Sequence, residues 1–240
     1  SISLCELADG DEGFLKAPAK VTGWPGCNSV TAPAVLPLPD GLTPIRAPAS
    51  AHAPTREFLT DCCKVLIAAE NDLNLLDAKS GDGDTGSTLA GAARALIDAM
   101  DRLPLADHTQ LYRAIGLELS QTMGGSSGVL LAIFFAAAGD ASSSGMTMRD
   151  ALMAGLDRMR QIGGANPGDR TMVDALLPAL DALSAGLPQA AAAARKGAKY
   201  TATLTSAKAG RASYINAEQL EGHIDPGAEA VARWFEHLAS

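Results

Sequence analysis

From Thr55 onward the apolar residues recur at intervals of three and four, and this period constrains the fold more than any other feature of the chain. Phe58, Leu59, Cys62, Val65, Leu66, Ala69, Leu73 and Leu76 line one face of a helix of roughly six turns. The same pattern predicts helices over about 85–103, 107–123, 126–138, 148–162, 169–185, 188–205 and 226–238, which makes eight in all. Asp225 stands as a cap before Pro226, which suits the first position of the last helix. Short connections favour antiparallel neighbours. No pair of alternating strands interrupts the series, so an all-α fold is expected.

Upstream the character differs. Residues 1–54 carry eight of the thirteen prolines and little helical period, as an extended, partly polyproline linker would. Ser1-Ile2-Ser3-Leu4 has the alternation of a strand with no partner nearby, and it lacks a starting Met. A cut within a larger protein is the expectation.

A net charge of −8 and a pI near 4.9 exclude a basic stripe for nucleic acid. The tightest cationic group, Arg195, Lys196 and Lys199, reads as a solvated face. Cys5, Cys27, Cys62 and Cys63 have no zinc spacing, and reduced thiols are expected. The longest apolar run, Val129–Ala138, has ten residues, too few to span a bilayer, and no signal peptide is visible. A soluble, cytoplasmic helical protein with no membrane or nucleic-acid partner is the expectation.

The chemistry concentrates between Asp77 and Thr88. Asp77, Asp82 and Asp84 fall within eight residues, interleaved with Gly81, Gly83 and Gly86. Carboxylates so crowded repel one another unless a cation joins them. Mg²⁺ suits hard oxygen donors and typically links carboxylates to substrate phosphates. An EF-hand would require Glu twelve positions into the loop, where Ala93 stands. A calcium β-roll needs repeats, and there is one copy. Gly81, Gly83 and Gly86 also match a dinucleotide fingerprint, with Asp101 at acidic spacing, but a helix precedes them where a strand is required. A polar turn with a capping Asp accounts for one carboxylate, not three. Thr85-Gly86-Ser87-Thr88 then opens a helix whose free N–H groups and hydroxyls form a seat for phosphate.

Further glycine-rich junctions stand at helix starts: Gly124–Gly128, Gly163–Met172, Gly210–Tyr214 and Gly222–Gly227. With helices running up and down, these junctions converge on the acidic cluster. Arg211 is the cation best placed for an anionic ligand, whereas His223 reads as structural.

Together these motifs resemble the nucleotide-binding L domain of dihydroxyacetone kinases. Leu76-Asp77, Gly81-Asp-Gly-Asp-Thr-Gly86 and Gly124-Gly-Ser-Ser-Gly128 carry the first half. Pro167-Gly-Asp-Arg-Thr-Met-Val-Asp174, Gly210-Arg-Ala-Ser-Tyr214 and Gly222-His-Ile-Asp-Pro-Gly227 carry the second, in family order. The resemblance implies a closed antiparallel barrel of eight helices over 55–240, binding ATP or ADP at one rim. It implies that Asp77, Asp82 and Asp84 hold two Mg²⁺ ions, and that Thr85, Gly86, Ser87 and Thr88 contact phosphate. Ser126 and Ser127 would line the nucleotide, and Gly163, Thr171 and Met172 would border base and ribose. Arg211 with Asp225, Pro226 and Gly227 would complete the pocket.

Phosphotransferase-dependent relatives commonly place His where Thr85 stands, so the hydroxyl fits the ATP-dependent branch. Phe14–Pro25 resembles the tail of the substrate-binding K domain, giving 1–27 as that tail and 28–54 as the linker. The K domain normally supplies the His that binds the ketone. None of His52, His108, His223 or His237 matches that motif, so no catalytic residue is expected in this chain. The implied activity is transfer of the ATP γ-phosphate to a short ketose, dihydroxyacetone foremost, in a full-length protein expected to be a homodimer. The alternatives are an L subunit that retains ADP as cofactor, or a non-catalytic nucleotide-binding regulator.

Overall fold

The computed structural model describes residues 8–18, 37, 44–208 and 211–240, without the side chains of Arg211 and Gln219. It comprises two units, Ser1–Ile45 and Arg46–Ser240. In the first, α1 (Asp11–Lys16) closes on an ion pair between Lys16 and Glu12, and Phe14 is exposed. Most of the expected K-domain tail and linker lies outside the described residues.

The second unit is helical. Its elements are α2 (Ala53–Ala68), α3 (Glu70–Asp77), α4 (Thr85–Ala99), α5 (His108–Thr122), α6 (Gly125–Ser143), α7 (Met148–Gly163), α8 (Val173–Ala182), α9 (Leu187–Thr201), the short α10 (Ala217–Leu220) and α11 (Pro226–Leu238). Short 3₁₀ turns follow α4 and α8 and cover Arg211–Tyr214. The β-type pairing among the described residues is one bridge between Ser50 and Pro104. Local capping follows the sequence: Asp107, Thr147 and Asp225 accept from Gln110 N, Asp150 N and Ala228 N at the starts of α5, α7 and α11.

Each long helix packs on the next, from α2 and α3 through α4 to α9, and α11 packs on α9 and again on α2 and α3. The neighbour relation therefore closes on itself. Side chains show neighbours running in opposite directions. Thr109 and Ser142 hydroxyls meet at 2.9 Å, joining the start of α5 to the end of α6. Asp225 N donates to Thr201 Oγ1 at 2.9 Å, joining the end of α9 to the start of α11. The larger apolar core centres on Phe134, Leu156, Val173, Leu180 and Phe235, and a second on Met100, Leu103, Leu111 and Ile115. Small residues bring backbones close: a Cβ on Gly197 of α9 would stand 2.0 Å from Asp174 O.

Several boundaries differ from the sequence expectation, and α6 runs on to Ser143 rather than ending at Ala138. The helix expected over 55–76 is two, α2 and α3, joined by a turn at Ala69. No helix-breaking residue stands there; the break adjoins Glu70, whose carbonyl approaches Gly86 of α4 so closely that a Cβ would meet it at 2.0 Å. α8 starts at Val173 rather than Asp169, because Asp169 and Asp174 spend their carboxylates organising the loop before it. α9 stops at Thr201, where the Thr201 and Thr203 hydroxyls bond back to Ala198 O and Tyr200 O.

The ten-residue apolar run lies within α6, which at 19 residues and a mean hydropathy of 1.3 is long and apolar enough by those measures alone to cross a membrane. A core helix of a globular protein passes the same test. α6 packs between α5 and α7, with Gly128, Phe134, Ala138 and Gly139 buried.

Candidate metal and phosphate site

Asp77, a buried residue, ends α3, and its carboxylate turns back to organise the loop that follows. Oδ2 accepts from the amides of Asp84 at 2.9 Å and Thr85 at 3.1 Å. Oδ1 lies over Gly81, where an added Cβ would stand only 2.2 Å away. Glycine at that position is what leaves the oxygen room. With Asp77 fixed, single carboxylate oxygens of Asp77, Asp82 and Asp84 all lie within 4.8 Å of one another, the latter two residues exposed. Three hard anionic donors at this spacing, one anchored and two facing solvent, fit a divalent cation such as Mg²⁺.

The start of α4 is more occupied than the sequence implies. Asn74 pairs reciprocally with Ser87: Ser87 N donates to Asn74 Oδ1 at 2.9 Å, and Asn74 Nδ2 donates to Ser87 Oγ at 2.9 Å. The amide of Thr85 is already taken by Asp77. The expected row of free N–H groups is thereby reduced to Gly86 N, which has no acceptor among the described residues. The reason is tertiary: α3 lies alongside and its polar side chains reach the helix start. The hydroxyls of Thr85 and Thr88 remain on half-buried residues beside the acidic loop.

The second half of the site forms where α7 leads into α8 and α9 into α11. Asp174 accepts from Gly168 N at 2.5 Å and Thr171 N at 2.8 Å, while Asp169 accepts from Asn166 N at 2.7 Å. These bonds shape the 163–172 loop. Between them Arg170 adopts φ 61° and is 1% exposed, with Nη2 donating to His223 O at 2.8 Å. The loop thereby meets the turn before α11: a Cβ on Gly227 would stand 3.2 Å from Met172 Cβ. Burial is the largest cause that pushes the Asp225 carboxyl up to about 6; the Ala228 amide and the Arg170 charge oppose it, and Asp174 and Asp77 add to it. Asp225 therefore lies within electrostatic reach of the acidic loop, which links the two halves.

Asp77, Asp82, Asp84 and Thr85 thus come together, as do Thr171, Met172, Asp225, Pro226 and Gly227. Ser126 and Ser127 are exposed at the start of α6, and no hydrogen bond ties them to the acidic loop among the described residues. Gly163 abuts Leu130, to which an added Cβ would come within 3.0 Å. The Arg211 side chain lies outside the described residues. Asn74, Asp174 and Arg170 are contributors that the sequence reading did not single out. Asn74 stands one helical turn before Asp77, and Asp174 in the first turn of α8, which are usable signals. Arg170 gives none, since an Arg in a polar loop reads as a surface residue.

The family model described as the DAK2 domain matches residues 79–240. The dihydroxyacetone kinase of Citrobacter freundii is 40% identical over 256 aligned residues, covering 100% of this chain and 44% of that protein. Human triokinase/FMN cyclase is 37% identical, covering 92% of this chain and 42% of its own length. The crystal structure of the C. freundii kinase in complex with AMP-PNP and Mg²⁺ superposes with a TM-score of 0.71 at 37% identity, covering 97% of this chain and 42% of that one. The chain thus spans less than half the length of these relatives.

Proposed function

Because the chain belongs to the DAK2 domain family, we propose that it is the Mg-ATP-binding L domain of an ATP-dependent dihydroxyacetone kinase. The observation that carries this reading is the anchored carboxylate set. Asp77 is held by two backbone amides, and one of its carboxylate oxygens lies within 4.8 Å of oxygens from Asp82 and Asp84. A family relative crystallised with AMP-PNP and Mg²⁺ supports the same ligands here. The alignment with the kinase of C. freundii includes the N-terminal arm, which favours a fused K–L arrangement over a separate ADP-holding subunit. Under this reading residues 1–27 are the end of a K domain, 28–54 the linker and 55–240 the barrel. The acceptor is a short ketose held by the K domain, and the assembled protein is a cytoplasmic homodimer.

Two Mg²⁺ ions bound by Asp77, Asp82 and Asp84 would neutralise phosphate charge during phosphoryl transfer. The protein's own part is orientation. Asp77 Oδ2 holds the loop through two amides, Gly86 N and the Thr85 and Thr88 hydroxyls would contact the phosphates, and Ser126 and Ser127 would flank them. Gly163, Thr171 and Met172 would border base and ribose, and Arg211 with the Asp225–Gly227 turn would complete the pocket. Preorganised donors of this kind stabilise charge without reorganising during the reaction.

Calorimetric titration with ATP, with and without Mg²⁺, tests the reading. The unaltered chain should bind ATP in a Mg²⁺-dependent way. The double change Asp82→Asn and Asp84→Asn should weaken that binding at least tenfold, about 1.4 kcal/mol or more. Unchanged affinity would remove the metal role.

A further inference from the structure

We infer that Arg170 is a positioning residue of the nucleotide pocket, its enclosed guanidinium bracing the His223–Gly227 turn against the Gly163–Met172 loop. The inference deepens the pocket reading above and rests on it for the ligand, though not for the brace itself.

Arg170 carries two costs at one position. Its φ of 61° is a left-handed conformation uncommon outside glycine. The residue is 1% exposed, yet Nε and Nη1 find no acceptor among the described residues. Enclosing a charge with incomplete hydrogen bonding is unfavourable unless surrounding charge offsets it. That offset is available: the turn offers the His223 carbonyl at 2.8 Å, and Asp225 is close enough for Arg170 to lower its proton affinity. Asp174 and Asp77 act on Asp225 in the opposite sense. Arg170 is therefore an internal counter-charge to Asp225, the carboxylate of the turn it bonds.

The loop dictates this inward direction. Asp169 accepts from Asn166 N, and Asp174 accepts from Thr171 N, so the residues on either side of Arg170 are fastened. The turn it braces has two duties: Asp225 Oδ1 accepts from Ala228 N at 2.8 Å to cap α11, and Gly227 abuts Met172. A lysine supplies charge but not the planar fork, so it should not substitute.

The experiment uses Arg170→Met, Arg170→Lys and Arg170→Gly in the present chain, with amide exchange over 222–228 and Mg–AMP-PNP affinity as readouts. Arg170→Met should speed exchange across the turn, leave α5 unchanged and weaken Mg–AMP-PNP binding at least tenfold. Arg170→Lys should fold and lose affinity to a similar degree. Arg170→Gly, which relieves the backbone strain, should regain exchange protection and affinity when methylguanidine is added. Unaltered exchange and affinity in the methionine or lysine variant would overturn the inference. So would an Arg170→Gly protein that folds but does not respond to methylguanidine, since a purely packing role predicts that outcome. An unaltered chain that binds no Mg–AMP-PNP would instead overturn the pocket reading, and exchange at 222–228 would still decide the role of Arg170.

Discussion

Asp225 combines a structural duty with an electrostatic cost. It caps α11 through Ala228 N and donates its own amide to Thr201, yet burial raises its carboxyl from 3.8 to about 6. Between those values the folded protein binds the proton more tightly than the unfolded chain. Stability from this group therefore falls as pH rises through that window, and the penalty is complete above about 6. Asn keeps a good capping side chain without the charge. Asp225→Asn in the metal-free chain should thus melt at a higher temperature at pH 8, by up to about 3 kcal/mol of stability. The advantage should shrink as pH falls through 6 and vanish below about 4. Thermal melts across that range check it, and a pH-independent difference would remove the electrostatic account. At this scale the acidic loop was legible in sequence, because three carboxylates among glycines are unusual whatever the surroundings. Arg170 was not, because its burial depends on a turn more than fifty residues away.

Among the elements, the α8–α9 pair shows how composition becomes packing. Pro178 lies inside α8 and has no N–H to offer Asp174 O, four residues back. Against that carbonyl α9 places Gly197, with space for nothing larger. Gly197→Ala would gain helix propensity on an isolated helix. Here its Cβ would lie 2.0 Å from the carbonyl oxygen, forcing α9 away from the loop-organising Asp174. A net loss of about 2–4 kcal/mol, or failure to fold, is expected in chemical denaturation. A gain in stability would sink this account of the contact. Helix existence was readable from period three-and-four spacing, since that depends on each helix having one buried face. The α2–α3 break, the late start of α8 and the early end of α9 were not, because neighbours and local hydroxyls impose them.

At the level of the whole molecule, the helices close a circle of neighbours, and ion pairs join distant segments across it. Glu118 of α5, 1% exposed at its side chain, takes Arg46 from before α2 and Arg102 from after α4. Glu229 of α11 takes Arg195 of α9 and Arg233, and Arg233 reaches Asp72 of α3 at 2.8 Å. The protein spans less than half of its kinase relatives, and its proposed share of the chemistry is the phosphoryl donor side. Under the proposed function it is expected to bind Mg-ATP yet show no ATP-dependent phosphorylation of dihydroxyacetone, with turnover appearing when a K domain is fused to its N-terminus. A coupled assay for ADP release checks both arms, and ketose turnover by this chain alone would refute the division of labour. Along the chain alone, the helical class, the order of the motifs and the crowded carboxylates of a candidate cation site are already legible, because period, glycine spacing and charge crowding are local properties. Packing alone sets which first-turn amides of α4 stay open, and brings a buried arginine from the loop after α7 onto the turn before α11. Those depend on groups far apart in the chain becoming neighbours, which is a property of packing and not of any one stretch.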